Sequence, residues 1–481
     1  MTERKTSACI AGLLLSVGMA LGGVVSGAEK LKRNDPLYLS RGSWQQKYDD
    51  QWALKRVGFT PRGNGASAWD LVAEDIQPVI VAVIDSGLDY LHPDLNPENV
   101  WRNSKEIPNG RDDDGNGYID DLIGWNFVDG GNNPWDNVGH GTHVAGIVAA
   151  ATGNGEGIAG INPRVKIMPL KILNSLGRGR ATRLAEAIFY AVKHRARVIN
   201  LSIGEKGISQ TERLAIEYAH KQGVVVVVAA GNVGSNTADY GPAGLKNSLT
   251  VAATDVEDKR LGFSNWGQFV RIAAPGQDVL SFRAGRTDLG LVLGGKDYKP
   301  GSAFVGPDSR YFRATGTSFA APFVAGVASL LIGKNPKLTK LQVERMLLMS
   351  ADDIDSPGWD QLTGYGRLNA KKALESDPEY YLYVELHRLV PTKESGRTVL
   401  QLFGTATGNR FGSYHIEVGQ GEKPKQWRRA GRLAGGQVKD DLLGSLTFGD
   451  FGGSGKWTIR LVAQDSKQLT RESRTAIAVG R

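Results

Sequence analysis

The sequence is almost free of cysteine, because Cys9 is the only one among 481 residues. A chain with a single thiol forms no internal disulfide, and Cys9 lies in an apolar segment that we expect to be removed. The absence of other thiols excludes a disulfide-stapled fold and a thiol protease. A large exported chain of this kind must be stabilised otherwise, by its core and by bound metal.

The sequence also lacks a compact run of Lys and Arg interleaved with aromatic residues. The formal net charge is +8, from 58 basic and 50 acidic residues that are spread along the chain. This pattern is typical of a solvated basic surface and gives little support to binding of an anionic surface. We therefore expect no nucleic-acid partner.

Long apolar runs are missing except near the N-terminus, where residues 8–25 follow Arg4 and Lys5. The small residues Ser26 and Ala28 fit a cleavage site, so residues 1–28 are predicted to be a signal peptide. The alternative is an uncleaved membrane anchor, which four glycines in the run disfavour. The mature chain is expected to be secreted or otherwise extracytoplasmic, at the cell surface or in a periplasm, without stable membrane insertion.

Three further parts are predicted along the chain. Residues 29–70 form an N-terminal arm whose aromatic residues indicate packing on a neighbour. Residues 71–376 alternate short apolar strands with amphipathic segments, which predicts a doubly wound α/β domain with a mainly parallel sheet. Residues 380–481 contain short alternating segments between glycine-rich turns, which predicts a small all-β sandwich of the immunoglobulin or fibronectin kind.

Three polar residues stand at the ends of predicted elements. Asp85 follows the β-branched strand at 79–84, while His140 and Ser318 each begin an apolar helical run. Sites in doubly wound sheets form at the carboxyl ends of strands, so the residue after each strand matters most. A helix start suits Ser318, since its free N–H groups favour negative charge.

These residue types fit acyl transfer. A serine hydroxyl needs a base within reach, and histidine has the pKa to take its proton and return it to a leaving amine. A buried aspartate fixes the imidazole tautomer. Asn232 follows another predicted strand and offers an amide N–H to a developing oxyanion.

The motifs around these residues resemble those of a known family. Val-Ile-Asp-Ser-Gly contains Asp85, His-Gly-Thr-His-Val-Ala-Gly begins at His140, and Gly-Thr-Ser-Phe-Ala-Ala-Pro contains Ser318. With Ala-Ala-Gly-Asn ending at Asn232, they resemble the signatures of the subtilisin-like serine proteases over about residues 35–375. The resemblance implies that Asp85 orients His140, the base for nucleophilic Ser318, and that Asn232 and the Ser318 N–H form the oxyanion hole.

The same resemblance implies where a protein or peptide substrate binds. Ser202, Ile203 and Gly204 follow a predicted strand, as the family's substrate-binding edge does, and would pair with an extended peptide. Gly231 would form part of the pocket for the residue before the scissile bond. The family tends to prefer large apolar side chains in that pocket.

An acidic loop before the histidine motif predicts a structural Ca²⁺ site. Its oxygen-bearing residues are spaced as in the first half of an EF-hand loop, but an isoleucine replaces the closing glutamate. The alternative is a solvated acidic loop, which is disfavoured because so many carboxylates repel one another. The predicted ligands are Asp112, Asp114, Asn116, Asp120 and Asp121, with one of the last two closing the site.

Three other features rest on comparison with the family. A second calcium site is expected at Asp35, Asp94 and Asn154 by resemblance alone. Few residues separate the predicted cleavage site from residues 34–38, which resemble the mature N-terminus of some family members, so no folded inhibitory propeptide is expected. The long stretch at 281–312 precedes the nucleophile motif and is expected to form a loop that limits access to the site.

The sequence therefore predicts a secreted serine endopeptidase that hydrolyses peptide bonds through an acyl-enzyme on Ser318. One alternative is a scaffolding protein that keeps the fold without turnover, which the intact motifs disfavour. Another is a processing protease that cuts a single partner. The oligomeric state is not predicted.

Overall fold

A computed structural model describes residues 33–60, 66–72, 76–433 and 436–480. The predicted signal peptide at 1–28 lies outside these residues. Within them the α-helices are α1 (Pro36–Leu39), α2 (Trp52–Leu54), α3 (His140–Ala149), α4 (Ala181–Lys193), α5 (Gln210–Lys221), α6 (Gly290–Leu293), α7 (Thr317–Lys334), α8 (Lys340–Met349) and α9 (Ala370–Glu375).

The strands up to the last helix are β1 (Val79–Asp85), β2 (Trp125–Asn126), β3 (Val165–Lys171), β4 (Val198–Leu201), β5 (Glu205–Lys206), β6 (Val225–Ala229), β7 (Tyr240–Gly241), β8 (Leu249–Thr254), β9 (Val270–Pro275), β10 (Val279–Phe282), β11 (Phe304–Val305) and β12 (Tyr311–Ala314). The remaining strands are β13 (Leu382–Glu394), β14 (Arg397–Gly408), β15 (Phe411–Gln420), β16 (Arg428–Arg429), β17 (Arg432–Leu433), β18 (Val438–Thr447), β19 (Gly455–Asp465) and β20 (Thr470–Val479).

A seven-stranded parallel sheet forms the centre of the molecule, in the order β2-β3-β1-β4-β6-β8-β9. Its strands are mainly apolar, as expected for a parallel sheet that helices cover on both faces. In β1, Val81 and Val83 join the core with α3 and α7, whereas Ala82 and Ile84 join the core with α4 and α5. The prediction of a doubly wound, mainly parallel sheet is confirmed.

The order of the strands reverses at β1, which lies between β3 on one side and β4 on the other. Polar groups at the carboxyl ends of β1 and β4 therefore meet at the switch point of the sheet, where doubly wound folds bind ligands. Asp85 is the last residue of β1, and Ser202 directly follows β4.

Two four-stranded antiparallel sheets follow the helical part, in the orders β13-β14-β18-β17 and β16-β15-β19-β20. Alternate apolar residues point into the space between them, as expected for packed sheets. Leu382 and Leu402 contribute from one sheet, and Ile416, Ile459 and Leu461 from the other. The predicted all-β sandwich is confirmed.

One helix of the described chain, α7, is long and apolar enough to cross a membrane. Its apolar window is 89% buried inside the protein, between the central sheet and its neighbours. The composition of α7 is therefore that of a core helix, and its N-terminus carries Ser318 to the switch point.

Candidate active site

A buried carboxylate fixes the start of α3, where His140 is the first residue. Asp136 accepts hydrogen bonds from the backbone N–H groups of Gly139 at 2.8 Å and Thr142 at 2.9 Å. These N–H groups have no helical partner, and the helix dipole favours a negative charge beside them. Asp136 was not predicted from the sequence, although an acidic residue just before a helical run is a capping signal.

The imidazole of His140 is held against the end of β1. Its Nδ1 lies 2.7 Å from Oδ1 of Asp85, and both side chains are buried. Burial alone would lower the pKa of His140, but the adjacent Asp85 carboxylate outweighs it and raises that pKa above its usual value. Because Nδ1 faces the carboxylate, Nε2 is the nitrogen left to act as a base.

Ser318 lies in the first turn of α7 and exchanges two hydrogen bonds with Ser202. Its Oγ donates to the Ser202 carbonyl at 3.1 Å, and the Ser202 hydroxyl donates to the Ser318 carbonyl at 2.7 Å. The second bond compensates for Pro322, which lies inside α7 beyond its first turn. A proline there has no N–H for the carbonyl four residues earlier, so the Ser202 hydroxyl satisfies it.

The side chain of Asn232 is oriented by the residue before Ser318. Its Oδ1 accepts hydrogen bonds from the backbone N–H and the hydroxyl of Thr317, both at 2.9 Å. The Nδ2 group is thereby turned the other way and has no partner within the described ranges. Together with the Ser318 N–H in the first turn of α7, it is a free donor beside the nucleophile.

These residues open into a cleft of about 650 Å³. The structure places the three residues of the expected substrate edge and the pocket residue Gly231 in it, and Gly231 also donates its N–H to Thr317 Oγ1 at 3.0 Å. A second edge, which our sequence analysis did not single out, follows β3. The lining residues from these edges are Ser202, Ile203, Gly204 and Gly231, and Gly177, Arg178 and Gly179.

The stretch at 281–312 contributes one wall of this cleft. It includes helix α6, and Leu289, Val292 and Leu293 face the cleft. Asp288 holds the stretch together by accepting the Tyr298 hydroxyl at 2.7 Å and the Gly301 N–H at 2.9 Å. The expected access loop is thus a folded segment with its own apolar contacts.

The acidic loop brings together a different set of carboxylates from the one expected. Asp112 and Asp114 lie with Glu106, and ligand oxygens of the three fall within 4.8 Å of one another. Asp114 Oδ1 is buried without a hydrogen-bond partner in the described part of the chain, so a cation would satisfy it. The donor set fits Ca²⁺, which takes carboxylate oxygens.

Asp120 and Asp121 do not belong to this group of three, and they and Asn116 make hydrogen bonds of their own within the described chain. Asp120 accepts the N–H groups of Asn109 and Gly110, and Asp121 accepts the Tyr190 hydroxyl at 2.6 Å. Asn116 Oδ1 accepts the Tyr118 N–H at 2.7 Å. Glu106, rather than Asp120 or Asp121, is the third carboxylate that the structure groups with Asp112 and Asp114. Glu106 precedes the EF-hand-like spacing, so the sequence pattern did not indicate it as a ligand.

The residues of the second expected calcium site also lie together. Asn154 donates from Nδ2 to Asp94 at 2.8 Å and from its backbone N–H to Asp35 at 3.1 Å. Both carboxylates are fully buried, and burial raises the pKa of Asp94 to about 7 and also raises the pKa of Asp35. Buried carboxylates of this kind fit a cation, which would favour their charged forms.

Comparison with known proteins agrees with this geometry. The profile of the subtilase family matches residues 77–366. Thermitase of Thermoactinomyces vulgaris is 34% identical over 344 residues, covering 71% of this chain and 99% of that protein. The solved structure of a protease from Pseudoalteromonas arctica PAMC 21717 has a TM-score of 0.52 and 32% identity, covering 72% of this chain and 99% of that chain.

Two other relatives are matched over a smaller part of their own length. The thermophilic serine proteinase of Bacillus sp. (strain AK1) is 36% identical over 307 residues, which is 64% of each chain. The cell wall-associated protease of Bacillus subtilis (strain 168) is 32% identical over 418 residues, 80% of this chain and 40% of the relative. The chain thus spans less than two thirds of the length of these two relatives.

Proposed function

Because the chain belongs to the subtilase family of serine proteases, we propose that it is a secreted endopeptidase acting through an acyl-enzyme on Ser318. In this proposal residues 29–70 form an N-terminal arm, residues 71–376 form the catalytic domain, and residues 380–481 form an accessory domain. The contact between His140 Nδ1 and Asp85 Oδ1 carries the proposal, because it leaves Nε2 as a base near Ser318.

The groups in the cleft support each step of peptide hydrolysis. His140 Nε2 takes the proton of Ser318 Oγ as this oxygen attacks the scissile carbonyl, and then gives it to the leaving amine. Asn232 Nδ2 and the Ser318 N–H stabilise the oxyanion, and Asp85 stabilises the imidazolium. A water molecule then releases the acyl group by the same route. The Ser318 hydroxyl must first turn away from the Ser202 carbonyl.

The proposal is tested with a fluorophosphonate probe, which reacts only with an activated serine. We expect the probe to label the purified protein at Ser318, as located by mass spectrometry of its peptides. A folded protein that stays unlabelled would instead support a scaffold without turnover. Cleavage profiling on a peptide library then separates a broad endopeptidase from a processing protease with one substrate.

The rate of labelling should depend on the protonation of His140. Only neutral imidazole accepts the Ser318 proton, so the rate rises with pH through the pKa of His140, which Asp85 raises above 6.5. Below that pKa the rate should fall about tenfold per pH unit. Asp85→Asn removes the charge and should lower the midpoint. A rate independent of pH between about 5 and 9 would contradict the role of His140.

We further propose that calcium stabilises the fold at the Glu106, Asp112 and Asp114 cluster, with a second site at Asp35, Asp94 and Asn154. At a Ca²⁺ concentration one hundred times Kd, one site adds about 3 kcal/mol to the free energy of unfolding. Thermal unfolding of the Ser318→Ala protein, which cannot digest itself, should therefore shift upward when Ca²⁺ replaces EGTA.

Matched variants assign that shift to the first cluster. Glu106→Gln removes one ligand charge and should reduce the calcium-dependent shift, whereas the exposed Glu98→Gln in the same region should leave it unchanged. Equal unfolding midpoints in Ca²⁺ and EGTA for all three proteins would rule out a structural calcium ion.

A further inference from the structure

The first turn of α5 lies below the substrate cleft. This helix connects β4 to the neighbouring strand β6, so its N-terminal end lies near the carboxyl end of β4, where the substrate edge begins. Glu212 belongs to this turn, and its side chain lines the same cleft as Ser318. It is 5% exposed, so its carboxylate reaches the cleft from the protein interior.

Glu212 occupies the floor of the part of the cleft beside the nucleophile. Its carboxylate lies against Gly241, where a Cβ atom would collide with it. Gly241 in turn lies under the substrate edge, since a Cβ on Gly204 would be 3.1 Å from its carbonyl oxygen. The walls above this floor are the substrate edge and Gly231. Ser202 of the edge accepts a hydrogen bond from the Ser318 hydroxyl, and Gly231 donates its backbone N–H to Thr317, the residue before Ser318.

No cation neutralises this carboxylate within the described part of the chain. Its hydrogen-bond donor is the backbone N–H of Ser209. Burial raises the pKa of Glu212, and the nearby Glu205 raises it further. Glu205 is exposed and also lines the cleft, so a second negative charge stands near the same pocket. Such a carboxylate keeps its charge more readily when a ligand supplies a cation beside it.

We propose that Glu212 forms the floor of the pocket for the residue before the scissile bond and selects lysine or arginine there. The inference rests on the proposed peptidase function and departs from the apolar preference that the family resemblance implies. Arg178 and Arg180 line the edge after β3 and are exposed, so the cleft is not acidic throughout. We therefore expect the preference for lysine or arginine only at the substrate residue that enters the pocket containing Glu212.

The test compares peptide nitroanilides that differ only in lysine or norleucine before the scissile bond. The two side chains have the same aliphatic stem, so the ratio of kcat/KM isolates the ammonium group. A charged hydrogen bond in a desolvated pocket predicts a preference for lysine of about tenfold to a hundredfold. Glu212→Gln should lower the ratio to about one or below, while Glu217→Gln on the same helix should leave it unchanged.

Binding of benzamidine tests the pocket without turnover. This cation should raise the midpoint of thermal unfolding of both the wild type and Ser318→Ala more than neutral benzamide does, and Glu212→Gln should lose the difference. If Ser318 is labelled by fluorophosphonate but norleucine is cleaved as well as lysine, the inference is overturned and the peptidase function stands. If Ser318 is unlabelled, the function fails, and the benzamidine shift alone supports or overturns the cation pocket.

Discussion

Replacing Ser318 with alanine is expected to lower kcat for peptide hydrolysis by roughly 10⁶-fold, the size of the loss on removing the nucleophile of a subtilisin triad. The substitution deletes the atom that forms the acyl-enzyme. Among the described residues it removes one hydrogen bond, from Ser318 Oγ to the Ser202 carbonyl. The bond from the Ser202 hydroxyl to the Ser318 carbonyl remains, so α7 should keep its position.

The triad acts as a unit, which gives the prediction a second part. Once Ser318 is absent, His140 has no proton to accept, so the double variant Ser318→Ala, His140→Ala should be no slower than Ser318→Ala. The residual rate comes from substrate binding and from the oxyanion donors, including Asn232.

The measurement is kcat on a peptide nitroanilide, with circular dichroism to verify folding. Ser466→Ala is the matched control, because this serine is exposed in a turn of the sandwich. A Ser318→Ala protein that keeps more than about one thousandth of the wild-type kcat would place the nucleophile elsewhere.

The central sheet could be predicted from the sequence because its signals are local. A strand such as β1 is a continuous β-branched run, and Asp85 directly follows it. The motifs at His140 and Ser318 likewise mark helix starts within a few residues of sequence. The positions of Asp85, His140 and Ser318 could therefore be predicted, because each lies at the end of one local element.

Residues whose roles depend on distant partners could not be placed. Glu106 closes the acidic cluster through the folding of the chain around it. Glu212 lies in the first turn of α5, and its position against Gly241 arises only when the connection from β4 to β6 packs in the fold. Pro322 is tolerated inside α7 because the Ser202 hydroxyl satisfies the carbonyl that it leaves free. Each of these contacts joins segments that carry no shared local pattern.

The junction between the central sheet and the sandwich rests on a buried ion pair, which gives the second large prediction. Arg271 of β9 donates from its two terminal nitrogens to Glu385 of β13 at 2.9 and 3.2 Å. Tyr365 and His387 also contact this carboxylate, at 2.5 and 2.8 Å. Burial alone would raise the pKa of Glu385, but the guanidinium outweighs it and holds that pKa well below its usual range.

Replacing Glu385 with alanine should lower the free energy of unfolding by about 3 kcal/mol, the lower end of the cost of breaking a buried pair, since it leaves the partly buried Arg271 without a counterion. The double variant Arg271→Met, Glu385→Leu removes both charges and should recover most of this loss. In the wild type, the stability from this pair is present above the unfolded pKa of the carboxyl group. It is lost as the pH falls through the lower folded value.

Urea unfolding in the Ser318→Ala background measures these differences without self-digestion. Glu394→Ala at the exposed end of β13 is the control and should change stability by less than about 0.5 kcal/mol. The loss in Glu385→Ala should appear first in the unfolding of the sandwich, because this pair joins its first strand to the edge strand of the central sheet. If Glu385→Ala unfolds like the control, the two parts are held by their other contacts, such as the bond from Ser473 to the Trp359 carbonyl.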